Sequence, residues 1–200
     1  MAVLRLAFVG DSFVNGTGDR MCLGWTGRAC ALAMLRGHDI THYNLGVRRD
    51  TSADIAARWR AEVSARLPGD CDGRVVFSFG ANDVCPGVDE GQRVSTARTL
   101  ANAEAILSEA RTRWPVLLVG PLPLADDPAA SARAAGLGRA LSEVCVGLGV
   151  PYLNPHPDIV ESRVWLREAL SGDGAHPDAG GYEALAALVD GWDAWRAWVA

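Results

Sequence analysis

Four short segments of this chain carry residue types suited to acyl-transfer chemistry. Ser12, in Gly10-Asp11-Ser12, follows the apolar run Leu4 to Val9. A glycine-assisted turn into a helix there would expose the hydroxyl and leave the Ser12 backbone N–H at the positive helix end. A serine hydroxyl is a weak nucleophile and needs a base. Of the four histidines (His38, His42, His156 and His176), His176 is the best placed, in Asp173-Gly174-Ala175-His176-Pro177. Asp173 lies three residues earlier in a glycine-containing turn, close enough to hydrogen-bond the other ring nitrogen and stabilise an imidazolium. Asn82, in Gly80-Ala81-Asn82-Asp83, offers a side-chain amide to an oxyanion. One such donor is worth roughly 3–4 kcal/mol in a transition state. The fourth segment is Asn44-Leu45-Gly46 followed by Arg48-Arg49-Asp50-Thr51.

Positioning these residues needs a scaffold that brings distant segments to one rim. Apolar runs at Leu4 to Val9, Asp39 to Asn44, Val75 to Phe79, Val116 to Val119 and Val150 to Leu153 read as strands. Most are punctuated by glycine, and their continuous apolar character suggests burial on both faces of a parallel sheet. Between them lie helix-period stripes: Ile55, Trp59, Val63 and Leu67; Leu100, Ala103, Leu107, Ala110 and Trp114; Leu137, Leu141, Val144 and Leu148. Thr51-x-x-Asp54 opens the first as a capping box. A last helix carries Tyr182, Leu185, Val189, Trp192 and Trp195, and Pro121 to Ala130 reads as one long surface loop. Five βα steps give an α/β fold with a doubly wound five-stranded parallel sheet, in one domain over residues 1–200. Ligands of such sheets bind beyond the carboxyl ends of the strands, where all four segments fall.

Composition narrows the function further. All 19 basic residues are arginine, which removes P-loop, kinase and Schiff-base chemistry in their lysine-dependent forms. A net charge of −5 with scattered arginines argues against a nucleic-acid partner. Five cysteines without a CxxC spacing read as reduced, mostly buried thiols rather than a zinc site. No cofactor or metal is called for. No apolar run approaches the ~18 residues of a membrane span, and no signal peptide is seen, so a cytoplasmic location is expected. Asp11 and Asp83 read as structural hydrogen-bonding groups, and His156 as a loop residue. His38 and His42 read as surface or packing residues. Trp192, Trp195 and Trp198 read as core-docking residues, with a homodimer or lipid-facing patch as the lesser reading.

The GDSF, NLG…DTS, GAND and DGAHP boxes resemble, in order, the blocks of the GDSL/SGNH hydrolase family, and they extend from Gly10 to Pro177. The resemblance implies a flavodoxin-like three-layer α/β/α sandwich and a serine hydrolase acting on small-molecule esters or thioesters. It implies Ser12 as nucleophile, His176 as general base, Asp173 as the orienting acid, and the Ser12 N–H and Asn82 side chain as oxyanion donors. In the family the third donor is the N–H of a glycine just before the Asp-Thr pair. That position is Arg49 here, and Gly46 is the alternative. Arg49 could donate equally well if its backbone is ordinary. Arg48 and Arg49 together suggest an acidic substrate or leaving group. The rival readings are a non-hydrolytic acyl- or sugar-binding module and an acyltransferase using the same acyl-enzyme.

Overall fold

A computed structural model of the chain describes residues 3–89 and 91–200. The first βα step runs through strand β1 (Leu4–Gly10), the short helix α1 (Ser12–Asn15) and α2 (Gly24–Leu35). Then come β2 (Ile40–Gly46), α3 (Ser52–Arg66) and β3 (Asp72–Ser78). A small strand β4 (Pro86–Asp89) precedes α4 (Thr96–Ala110), β5 (Val116–Val119) and α5 (Pro128–Leu148). The chain closes with β6 (Tyr152–Leu153), α6 (His156–Val160), α7 (Arg163–Ser171), α8 (Ala179–Gly191) and α9 (Asp193–Val199).

Five strands form one parallel sheet in the order β2-β1-β3-β5-β6. Counting sheet strands alone, this is the flavodoxin-like 2-1-3-4-5 order, with its switch point beside β1. β4 stands outside the sheet as a hairpin bridged to Gln92. Successive strand residues point to opposite faces. Leu4, Leu6, Phe8, Val76, Leu117 and Val119 meet Trp25, Tyr182, Leu185 and Trp195 from α2, α8 and α9. Ala7, Val9, Val75, Phe77 and Leu118 meet Ile55, Trp59, Leu107, Leu137 and Leu141 from α3, α4 and α5. The capping box at Thr51 and Asp54 is formed as expected. No described helix is long and apolar enough to cross a membrane.

Three expectations need correction. Pro121 to Ala130 is not a surface loop: Pro121 to Leu124 is buried, and α5 begins at Pro128, with Asp127 as its N-cap. Leu122 and Leu124 belong to the α2/α8 core, so burial here follows apolar content rather than proline. The last helix is two helices, because Trp192 takes an extended backbone (ψ 119°) between α8 and α9. That turn sends Trp195 into the core, fully buried, while Trp192 and Trp198 pack at its edge. Of the five thiols, all free, only Cys30 and Cys145 are buried.

The switch point holds a buried carboxylate. Asp11 follows β1 and caps α1, accepting from the Phe13 N–H at 2.9 Å. Burial pushes its pKa up to about 7, against the Phe13 hydrogen bond and with the nearby Asp83 and Asp50 charges adding to the rise.

Two stability predictions follow from this packing. The folded state holds the Asp11 proton more tightly than the unfolded chain, so Asp11 makes stability fall between about pH 4 and pH 7. Asp11→Asn should remove a fall on the order of 3–4 kcal/mol across that window in urea titrations, since one pKa unit is about 1.4 kcal/mol. An unchanged slope would contradict the assignment. Trp195→Ala should cost roughly 3–5 kcal/mol of unfolding free energy, independent of protein concentration. A loss that grows on dilution would point to a dimer surface instead.

Candidate active site

The register of the sheet brings the key segments together. Gly10 pairs with Gly46 on one side and Ser78 on the other, so β1, β2 and β3 end level. Ser12 lies two residues past Gly10, Arg49 three past Gly46 and Asn82 four past Ser78. A Cβ on Gly10 would stand 2.0 Å from the Ser78 carbonyl oxygen, and one on Gly46 2.1 Å from the Asn15 nitrogen. Both contacts are far inside van der Waals distance, so this convergence requires glycine at both positions.

Ser12 opens α1 and is buried except for 3% of its surface. Its Oγ lies 2.7 Å from Nε2 of His176. The other ring nitrogen, Nδ1, lies 2.8 Å from Asp173 Oδ2. Asp173 Oδ1 accepts the His176 N–H at 2.9 Å and the Ala175 N–H at 3.2 Å. One oxygen therefore folds the turn and the other aims the ring. Gly174 supplies the left-handed residue of that turn (φ +88°). The Phe13 ring supports the imidazole at a centroid distance of 4.8 Å and rests in turn on Trp165. Burial works against the Asp173 charge. The hydrogen bonds from the His176 backbone and ring and from Ala175 outweigh it and pull the carboxyl down to about 2. Asp173 is thus an anion throughout the neutral range.

Beyond β3, the Asn82 loop is tied down from behind. Asp83 is fully buried and accepts from the Ser52 N–H (2.9 Å), the Ser52 hydroxyl and the Thr99 hydroxyl (2.8 Å). Asn102 donates to Ser52 Oγ at 2.9 Å. Asp83 is the structural group expected, but it joins the starts of α3 and α4 rather than capping its own turn. Asn82 Oδ1 accepts from Arg93 Nη1 at 3.2 Å, which directs the amide nitrogen elsewhere. The Asn82 side chain also favours the ionised form of Asp11, so its donor end lies toward that carboxyl.

The second segment departs from expectation. Arg49 does not have an ordinary backbone; its φ is +74°, the left-handed region. Arginine there costs about 1–2 kcal/mol that glycine would not. Among the described residues no acceptor takes the Arg49 N–H. The Gly46 N–H donates to Asn44 Oδ1 at 2.9 Å. Arg48 pairs with the same cluster, its Nη2 donating to Asp173 Oδ2 at 3.2 Å.

The remaining histidines stay out of this cluster. His42 Nε2 pairs with Thr26 Oγ1 at 3.0 Å, and its ring packs on Phe8. His156 is not in a loop. It begins α6, is buried, and its Nε2 meets the Ser131 hydroxyl and carbonyl at 3.2 and 3.0 Å. Sequence reading missed Arg58 and Arg93. Arg58 Nη2 donates to the Gly10 carbonyl (2.8 Å), Nη1 to the Leu45 carbonyl (3.1 Å), and Nε to Asp50 (2.6 Å). It thereby holds the ends of β1 and β2. No local signal marks the contacts that matter here: Arg58 reaches Gly10 across 48 residues and Leu45 across 13, and Arg93 reaches Asn82 across 11.

Comparison with known proteins places the chain in a family. Residues 8–184 match the model of the GDSL-like lipase/acylhydrolase family. A lipase/acylhydrolase from Enterococcus faecalis is similar at 25% identity, with 94% of each chain covered and a TM-score of 0.77. Axe2, an acetylxylan esterase from Geobacillus stearothermophilus, shares the fold at 21% identity and a TM-score of 0.75, covering 98% of this chain and 96% of its own. A search of curated proteins gave no match. With the family model covering most of its length, the chain belongs to the GDSL-like lipase/acylhydrolase family and is a carboxylic ester hydrolase of the GDSL type.

Proposed function

We propose that the enzyme cleaves carboxylic esters or thioesters of small molecules through an acyl-enzyme on Ser12. The observation that carries this reading is the continuous chain Ser12 Oγ–His176 Nε2 (2.7 Å) and His176 Nδ1–Asp173 Oδ2 (2.8 Å). His176 takes the Ser12 proton as Oγ attacks the acyl carbonyl, and Asp173 holds the ring in the tautomer that permits this. The charge on the former carbonyl oxygen is met by the Ser12 N–H, the Asn82 amide and the Arg49 N–H. The Arg49 N–H is preferred to that of Gly46 because the latter already has a partner in Asn44. His176 then protonates the leaving alcohol or thiol. It next activates water against the acyl-enzyme, which releases the acid and restores Ser12.

The binding-module reading rested on arginine where relatives carry glycine. The left-handed Arg49 backbone weakens it, because the loop keeps a shape that glycine would adopt. An acyltransferase would use the same acyl-enzyme with an alcohol in place of water, and partition between the two depends on the acceptor supplied.

A fluorophosphonate probe should add its mass to Ser12 and fail to label Ser12→Ala. Turnover of p-nitrophenyl acetate should fall by at least about a thousandfold in Ser12→Ala and in His176→Ala. A folded wild-type protein that resists the probe would sink the acyl-enzyme. Asp173→Asn should lower kcat by about 10⁴, because the amide favours the wrong imidazole tautomer. The wild-type carboxyl, at about 2, should contribute no ionisation of its own to a rate profile taken between pH 5 and 9. A loss smaller than tenfold in Asp173→Asn would remove Asp173 from its role.

A further inference from the structure

An asparagine amide stabilises an oxyanion only when its nitrogen, not its oxygen, faces the charge. Nothing in the covalent structure of Asn82 decides between the two orientations. Arg93 does. Its Nη1 donates to Asn82 Oδ1 at 3.2 Å, and a guanidinium has donors only, so the flipped amide would set two donors against each other. The backbone of Arg93 is fixed independently of this bond. Its backbone N–H is shared between the Asp83 carbonyl (3.0 Å) and the Cys85 carbonyl (2.9 Å), on the loop that carries Asn82. The next residue, Val94, also donates to the Asp83 carbonyl, at 3.1 Å. The hairpin formed by β4 therefore returns the chain so that one residue grips the Asn82 loop by its backbone and its side chain.

We propose that Arg93 is the positioning residue of the oxyanion hole. Its guanidinium holds the Asn82 amide with the nitrogen turned to the side of Asp11 and the adjoining Ser12, and polarises it as charge develops on a carbonyl attacked by Ser12. Arg93 touches neither substrate nor reacting atoms and acts through Asn82 alone. The positive guanidinium that donates to the amide oxygen draws electron density from the nitrogen, which makes its hydrogens better donors to an anion. That effect grows as the ester carbonyl oxygen gains charge, so it belongs to the transition state more than to the bound ester. The proposal rests on the Ser12 reading given above.

The test is a double-mutant cycle using p-nitrophenyl acetate, with a trifluoromethyl ketone as a mimic of the tetrahedral intermediate. Arg93→Ala should lower kcat by about 10- to 100-fold, the range for a hydrogen bond to a charged group, with KM changed less than about twofold. Trifluoromethyl ketone affinity should fall by the same factor as kcat/KM. The backbone bonds of residue 93 survive this truncation, and Arg93→Lys, which keeps a donor and a charge, should recover part of the loss even if the alanine variant folds poorly. In an Asn82→Ala background, Arg93→Ala should cost no more than about a further twofold, because the pair acts as a unit. Equal losses in both backgrounds would overturn the proposal while leaving the oxyanion hole intact. An unaffected kcat in Asn82→Ala alone would instead remove the hole, and the role of Arg93 with it.

Discussion

The parallel register of three strands is the constraint on which the active site depends. β1, β2 and β3 end level at Gly10, Gly46 and Ser78, and each then releases its chain into a different segment of the candidate site. The segments beyond these strand ends pack this closely only because Gly10, against the Ser78 carbonyl, and Gly46, against Asn15, carry no side chain. The helix that presents Ser12 is a single turn, too short to be stable alone. It holds its place because Gly46 lets β2 press against Asn15, Asp11 caps its first turn, and Gly16 closes it in the left-handed conformation. Shape at the bottom of the site thus comes from the absence of atoms, and polarity at the top from groups held by backbone hydrogen bonds.

The exclusive use of arginine acquires a structural meaning in this setting. Arg58 meets the carbonyls of Gly10 and Leu45 and the carboxylates of Asp50 and Glu62 with one planar fork. Arg28 does comparable service for Asp19 and the Gly24 carbonyl. A lysine ammonium has three donors at one point and could not span such separated acceptors. At the ends of β1 and β2 a guanidinium from α3 adds a second donor to the Gly10 carbonyl, which also accepts the Val47 N–H, and meets the Leu45 carbonyl.

Much of this architecture was legible in the chain. Strand ends stood out because glycine follows or closes most of the apolar runs, and Asp173 and His176 because their partnership is local, three residues apart. The parts that stayed hidden depend on contacts distant in sequence. Asp83 finds Ser52 across 31 residues and Thr99 across 16, and Arg93 finds Asn82 across a hairpin. The left-handed backbone at Arg49 leaves no trace in residue type, since arginine is a poor choice for it. The break at Trp192 was masked by helical spacing that continues in steps of three and four through both flanking helices. The burial of Leu122 and Leu124 was masked by the prolines beside them, which argue for a loop whether the segment faces solvent or core.

Asp173 divides its two oxygens between the backbone of its own turn and the ring of His176. The same carboxylate therefore braces the loop and, in the proposed mechanism, aligns the base. Local order and catalytic competence become one cooperative event. A copy of the enzyme whose turn has frayed has no oriented histidine, and one whose histidine is oriented has, of necessity, a formed turn. In the proposed mechanism, local opening of this four-residue segment, well below the scale of global unfolding, would remove activity while the sheet stays intact.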